Sequence, residues 1–179
     1  MKYLFTVFVF LSLVFMNGCL PKSTNPLTRS ANIIFWGDSP YRIAFMMHRL
    51  GKTVDPGGSN ANLTYRVKVS DIVDVLCIYT FKKNKLRTAG YILLGSSQKS
   101  GHTLSNAKIP LPRPSDKRTL RLRDSDGVLT FVDRQFYDEL NAKFDTIRHK
   151  NTELTFCEQF IFGHISKYTF LRELGIDLR

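Results

Sequence analysis

Most of what usually announces chemistry or membrane insertion is scarce in this chain. Its one long apolar run, Tyr3 to Met16, would cover about 21 Å as a helix, short of the ~30 Å hydrocarbon core, which argues against a permanent transmembrane span. The four histidines, His48, His102, His149 and His164, are scattered. They offer no i, i+4 pair and no acidic cluster at ligand spacing, so no metal site is expected and no cofactor is implied. Acid is also short, with 15 Asp and Glu against 26 Lys and Arg and a formal net charge of +11. That balance points to anionic partners without fixing the fold. No internal repeat is visible.

What is present begins at the N-terminus. Met1 and Lys2 precede the apolar run, which closes on Met16-Asn17-Gly18-Cys19. A short positive start, an apolar stretch and a small residue before the cut describe a secretory signal peptide over residues 1–18. The Gly-Cys ending resembles the lipobox of bacterial lipoproteins, although Met16 and Asn17 depart from the Leu and small residue usual there. The resemblance implies that Cys19 is acylated, becomes the mature N-terminus and holds the protein to a membrane. Leu20 rather than Asp after the cysteine resembles the pattern sorted to the outer membrane, facing the periplasm, in Gram-negative cells.

Export makes nucleic acid a poor partner for the positive charge. Anionic lipid head groups, cell-wall polymers or an acidic protein face suit that compartment better. With Cys19 committed to lipid, Cys77 and Cys157 remain. An oxidising periplasm permits a bridge between them, while their apolar neighbours suit two reduced core thiols equally.

Residues 19–30 read as a lipidated cysteine and a tether, with Pro21 and Pro26 among small polar residues. Residues 31–179 read as one globular domain. Ala31 to Trp36 suits a buried strand. Ser39 is a natural N-cap and Pro40 fits the first position of a helix that carries Ile43, Met46, Met47 and Leu50 on one face and stops at Gly51. Thr53 to Asn62 reads as loop.

Leu63, Tyr65, Val67 and Val69 then alternate as a half-buried strand, and Ile72–Phe81 pairs through Lys82-Lys83-Asn84-Lys85 with Leu86–Leu94. Ile109 to Pro114 holds three prolines that cannot donate to a ladder. Two short strands around Asp124-Ser125-Asp126-Gly127 lead to a helix capped by Asp133, with Phe136, Leu140, Phe144 and Ile147 on its apolar face. Leu154–Ile161 suits strand or helix, and Ser166–Leu174 a closing helix. The sum is an α+β domain, an antiparallel sheet with helices packed mainly on one face.

Four features invite a functional reading. Ile33-Ile34-Phe35-Trp36-Gly37-Asp38-Ser39 resembles the first block of SGNH (GDSL-type) esterases, which implies Ser39 as nucleophile with its own N–H in the oxyanion hole. The other blocks of that family, Gly-x-Asn-Asp and a late Asp-x-x-His, are missing. Lys108, Arg113, Lys117, Arg118, Arg121 and Arg123 stand against Asp116 alone, and Lys82, Lys83, Lys85 and Arg87 make a second cluster. Arg118, Arg121 and Arg123 are expected to project from one wet sheet face as an anionic contact. Phe156, Phe160, Phe162, Tyr168 and Phe170 crowd the end, as core or as a groove. The expectation is a membrane-anchored envelope protein with a non-catalytic binding or assembly-accessory role, beside an envelope protein or anionic envelope polymer. A small esterase using Ser39, or a binder of anionic lipid or cell-wall polymer, stands as the alternative.

Overall fold

The computed structural model describes residues 33–54, 61–95, 103–104, 106–113, 115–146 and 154–176, with the backbone alone at Lys52 and residues 143–146. Cys19, the signal peptide, the tether and the side chains of Phe144 and Ile147 lie outside the described residues. Those described belong to one unit, Asn32–Arg179.

Alternation builds the sheet. Strands β2 (Lys52–Val54), β3 (Asn62–Lys68), β4 (Asp74–Lys82), β5 (Lys85–Leu94), β7 (Thr119–Ser125) and β8 (Val128–Asp133) join in the order β2-β3-β4-β5-β8-β7. Every pair is antiparallel. In β4, Val75, Cys77, Tyr79 and Phe81 enter one apolar cluster and Leu76 and Ile78 the other, so both faces are covered. The arrangement is an α+β fold.

On the first face lie α1 (Pro40–Met47) and a two-stranded parallel pair of β1 (Ile33–Ile34) and β6 (Leu111–Pro112). Ser39 caps α1 by accepting the Arg42 N–H at 3.3 Å, and Ile43 and Met47 are fully buried. Tyr79 and Tyr91 meet edge to face with ring centroids 6.1 Å apart, and the Tyr91 hydroxyl donates to Pro110 O at 2.7 Å. On the second face lie α2 (Arg134–Thr146), α3 (Phe156–Ile161) and α4 (Lys167–Glu173). Phe136 and Leu140 of α2 are buried over Val132. Phe160 stacks on Phe170 at 4.3 Å and Phe156 on the same ring at 4.9 Å, so the terminal aromatics, Tyr168 apart, serve the core. Gly90 lets α3 approach, since a Cβ there would stand 3.2 Å from Ile161 Cγ1.

One local expectation is corrected and one left open is settled. Thr53 and Val54, expected to open a loop, belong with Lys52 to an edge strand on β3. Leu111–Pro112 pairs with β1 alone, where a proline that cannot donate can face away from the bonded edge. Leu154–Ile161 resolves as a helix from Phe156, fixed by a capping box between Thr155 and Glu158.

Candidate functional site: the basic end of the sheet

The antiparallel register gathers the two basic clusters at one end. Lys83 and Asn84, with φ of 52° and 58°, make the two-residue turn that right-twisted hairpins favour. Thr88 on β5 stands opposite Val132 on β8, and Thr119 on β7 stands opposite Asp133. The β4–β5 turn, the start of β7, the end of β8 and the start of α2 therefore share one end.

Asp133 is the pivot of that end. Its side chain is wholly buried, and it accepts from Arg87 Nη1 at 2.8 Å and from Arg118 Nη2 at 2.7 Å. Arg118 Nε adds a longer bond at 3.2 Å. Hydrogen bonding to Asp133 holds the Arg118 guanidinium above its ordinary pKa, against the opposing effect of burial. One carboxylate thus serves two guanidiniums, and a positive charge is left over. Lys82 Nζ and Arg87 Cζ both lie over the Phe136 ring, at 5.4 and 5.9 Å from its centroid, a cation–π arrangement.

Backbone bonds lock the neighbouring segment in place. The Arg134 N–H donates to Arg118 O at 2.7 Å, and Arg134 Nε donates to Lys117 O at 3.0 Å. Asp116 accepts the Arg118 N–H at 2.9 Å. Trp36 Nε1 donates to Thr119 Oγ1 at 3.0 Å, whose hydroxyl passes on to Arg113 O at 2.9 Å. Lys82, Lys83, Lys85, Arg113, Lys117 and Arg134 are all exposed around this frame. The first turn of α2 carries no acid, but the Asp133 carboxylate just before it already accepts the Gln135 N–H. Asp138 and Glu139 follow only in the next turn.

The expected cationic residues are only partly brought together. Arg113, Lys117 and Arg118 reach the basic end. Lys108 is exposed with φ of 54°, beside the Ile109–Pro110 segment that covers the first face. Arg121 and Arg123 do not share a face. A bulge at Leu122 aligns Arg121 with Phe131 but Arg123 with Thr130, and successive residues of β8 point to opposite sides. Each is also paired locally, Arg121 with Asp124 and Arg123 with Asp126. The expectation that Arg118, Arg121 and Arg123 project together is thereby corrected. Asp133, read as a helix cap, does accept the Gln135 N–H at 3.3 Å, but its two ion pairs were not visible in the sequence.

The esterase-like block is accounted for by structure. Ser39 Oγ is the α1 cap. Asp38 Oδ2 accepts the Phe35 N–H at 2.8 Å and Oδ1 pairs with Arg42 Nη1 at 2.8 Å. Gly37, with φ of 91°, turns the chain, and its N–H donates to Leu86 O at 3.2 Å. Cys77 and Cys157 are both free and buried, on opposite faces of the sheet, so β4 itself stands between the two thiols and no bridge joins them. Burial pushes the Cys77 thiol up, and burial with the Glu158 charge pushes Cys157 up to about 12.

Among the described residues no group of three or more His, Cys, Asp or Glu could hold a metal ion, and no helix is long and apolar enough to cross a membrane. No family model, curated protein or solved structure matches the chain.

Proposed function

We propose that this chain is a lipid-anchored envelope protein that works by binding, and that the basic end of its sheet is the contact for an anionic envelope component. The observation that carries the reading is the assembly of Lys82, Lys83, Lys85, Arg87, Arg113, Lys117, Arg118 and Arg134 around one buried acid. Two guanidiniums share Asp133, and six further cations surround them in solvent. Phosphate and carboxylate groups suit such a surface, because guanidinium forks and ammonium groups both donate to their oxygens. The Gly18-Cys19 ending supports the anchor, and export of a chain this basic favours envelope anions over nucleic acid. Ser39 is engaged as a cap, which removes the support for an esterase built on it.

The test is the salt dependence of binding. Full-length protein in non-ionic detergent should bind polyphosphate at low salt. The apparent affinity should fall steadily toward physiological salt, where screening acts over about 8 Å. Affinity that is absent at low salt, or unmoved by salt, would remove the basic end as a contact.

A further inference from the structure

Three cations at the basic end share their partners, and the acid between them does not cancel their charge. Arg87 Nη1 and Arg118 Nη2 donate to the same oxygen, Asp133 Oδ2, at 2.8 and 2.7 Å. Lys82 Nζ and the Arg87 guanidinium lie over the same ring, that of Phe136, at 5.4 and 5.9 Å from its centroid. Arg87 belongs to both pairs and so ties Lys82, Arg87 and Arg118 into one cluster. Asp133 sets one negative charge against three positive ones, which leaves a surplus of two. Asp116, which accepts the Arg118 N–H, does not lower that surplus, since Lys117 stands next to it in the chain.

The chain itself leaves much of this charge unanswered. Among the described residues Arg87 has one acceptor, Asp133 Oδ2, and its Nε is buried with none. Arg118 spends Nε and Nη2 on the same carboxylate. Lys82 makes its contact with the Phe136 ring and no ion pair among the described residues. Arg118 is 47% exposed and Lys82 is exposed as well, so the cluster is open to solvent on their side.

We infer that Lys82, Arg87 and Arg118 form a seat for one phosphate monoester group, borne by a lipid head group or by a free phosphorylated compound. The inference rests on the reading of the basic end as an anion contact and names the group it takes. A phosphate monoester carries nearly two negative charges at neutral pH and three acceptor oxygens, which matches the surplus charge and the three cationic side chains. A phosphodiester has a single charge and leaves part of the cluster unanswered. Guanidinium forks and an ammonium group both donate to phosphate oxygens. The shared carboxylate and the shared ring hold the three side chains in place beforehand, so little ordering is left for a ligand to impose.

Full-length protein in non-ionic detergent is titrated by calorimetry, at constant ionic strength, with glycerol 3-phosphate and with dimethyl phosphate. The monoester should bind about tenfold more tightly than the diester, the size of one charged hydrogen bond. Lys82→Gln should cost about tenfold in affinity for the monoester by the same measure. Lys83→Asn removes an equal charge next door, in a turn that asparagine tolerates, and should cost no more than about twofold. Arg118→Gln, which leaves the Arg87–Asp133 pair in place, gives a second reading should Lys82→Gln melt early. Phosphatidic acid mixed into the micelles tells the two sources apart. Displacement of glycerol 3-phosphate beyond that by an equal amount of the free compound marks a lipid head group, and displacement at or below it marks a free phosphate. Either result supports the seat.

No binding of the monoester, equal affinity for monoester and diester, or equal losses in Lys82→Gln and Lys83→Asn would overturn the seat. If the same protein still bound polyphosphate with the expected salt dependence, the basic end would stand as a diffuse contact. Loss of polyphosphate binding as well would remove both.

Discussion

At Asp133 one side chain decides whether the basic end holds together. Its carboxylate is fully buried and meets Arg87, itself only 15% exposed, and Arg118. Removing one partner of a buried ion pair strands the other charge, at a cost of about 3–5 kcal/mol. Asp133→Asn should therefore lower stability by that order in chemical denaturation, while Arg121→Ser, with its guanidinium half in solvent, should change it by under about 1 kcal/mol. Equal effects would mean that Asp133 is not the pivot.

The sequence showed Asp133 as a helix cap, a local role read from its neighbours. It could not show the partners, because Arg87 stands 46 residues away and meets Asp133 only through strand register. The thiols belong to the same scale. With Cys157 pushed up to about 12 by burial and by Glu158, its thiolate is scarce at neutral pH, and Cys77 is shifted upward by burial as well. Neither should react with iodoacetamide at pH 8 in the folded protein. In denaturant both should, and Cys19 should remain unlabelled in membrane-extracted protein if it is acylated. A third labelled thiol in intact-mass spectra would remove the anchor.

Among the elements, those with strong period or turn chemistry were legible. Ser39-Pro40 at the start of α1, the Lys83-Asn84 turn and the Phe136–Leu140 face of α2 all follow from local signals. Phe136 is 1% exposed, so Phe136→Ala should cost about 3–5 kcal/mol through lost burial and the cavity left behind. A loss under about 1 kcal/mol by thermal or urea melting would mean that α2 turns another face to the sheet.

β2 escaped because three residues are too few for a period to show beside Asp55-Pro56-Gly57-Gly58, which reads strongly as a turn. Thr53-Val54, both β-branched, was the faint signal. α3 was legible but was left undecided between strand and helix. Thr155-Phe156-Cys157-Glu158 spells a capping box, and the structure closes it with Glu158 Oε2 accepting the Thr155 N–H at 2.9 Å. β7 shows how an edge strand is kept from pairing with other chains. Arginines flank a bulge at Leu122, and bulges and charge both discourage edge-to-edge contact.

For the whole molecule, the sequence displayed two basic clusters and a signal ending in Gly18-Cys19, but not how the clusters relate. Composition gave the net charge, whereas its location depends on strand order, which places β5 beside β8 and β8 beside β7. That order gathers Lys82, Lys83 and Lys85 with Lys117, Arg118 and Arg134, and sends Arg121 and Arg123 to opposite faces farther along β7. The central claim is therefore positional, and two variants of full-length protein separate it from a simple effect of charge. Lys82→Ser, Lys83→Ser and Lys85→Ser remove charge from the basic end, and Arg121→Ser with Arg123→Ser removes it from the edge strand. Measured side by side against wild type at low salt, polyphosphate affinity should collapse in the first variant and stay near wild type in the second, with both melting close to wild type. Equal losses in the two variants, or a larger loss in the second, would contradict the basic end as the site of binding.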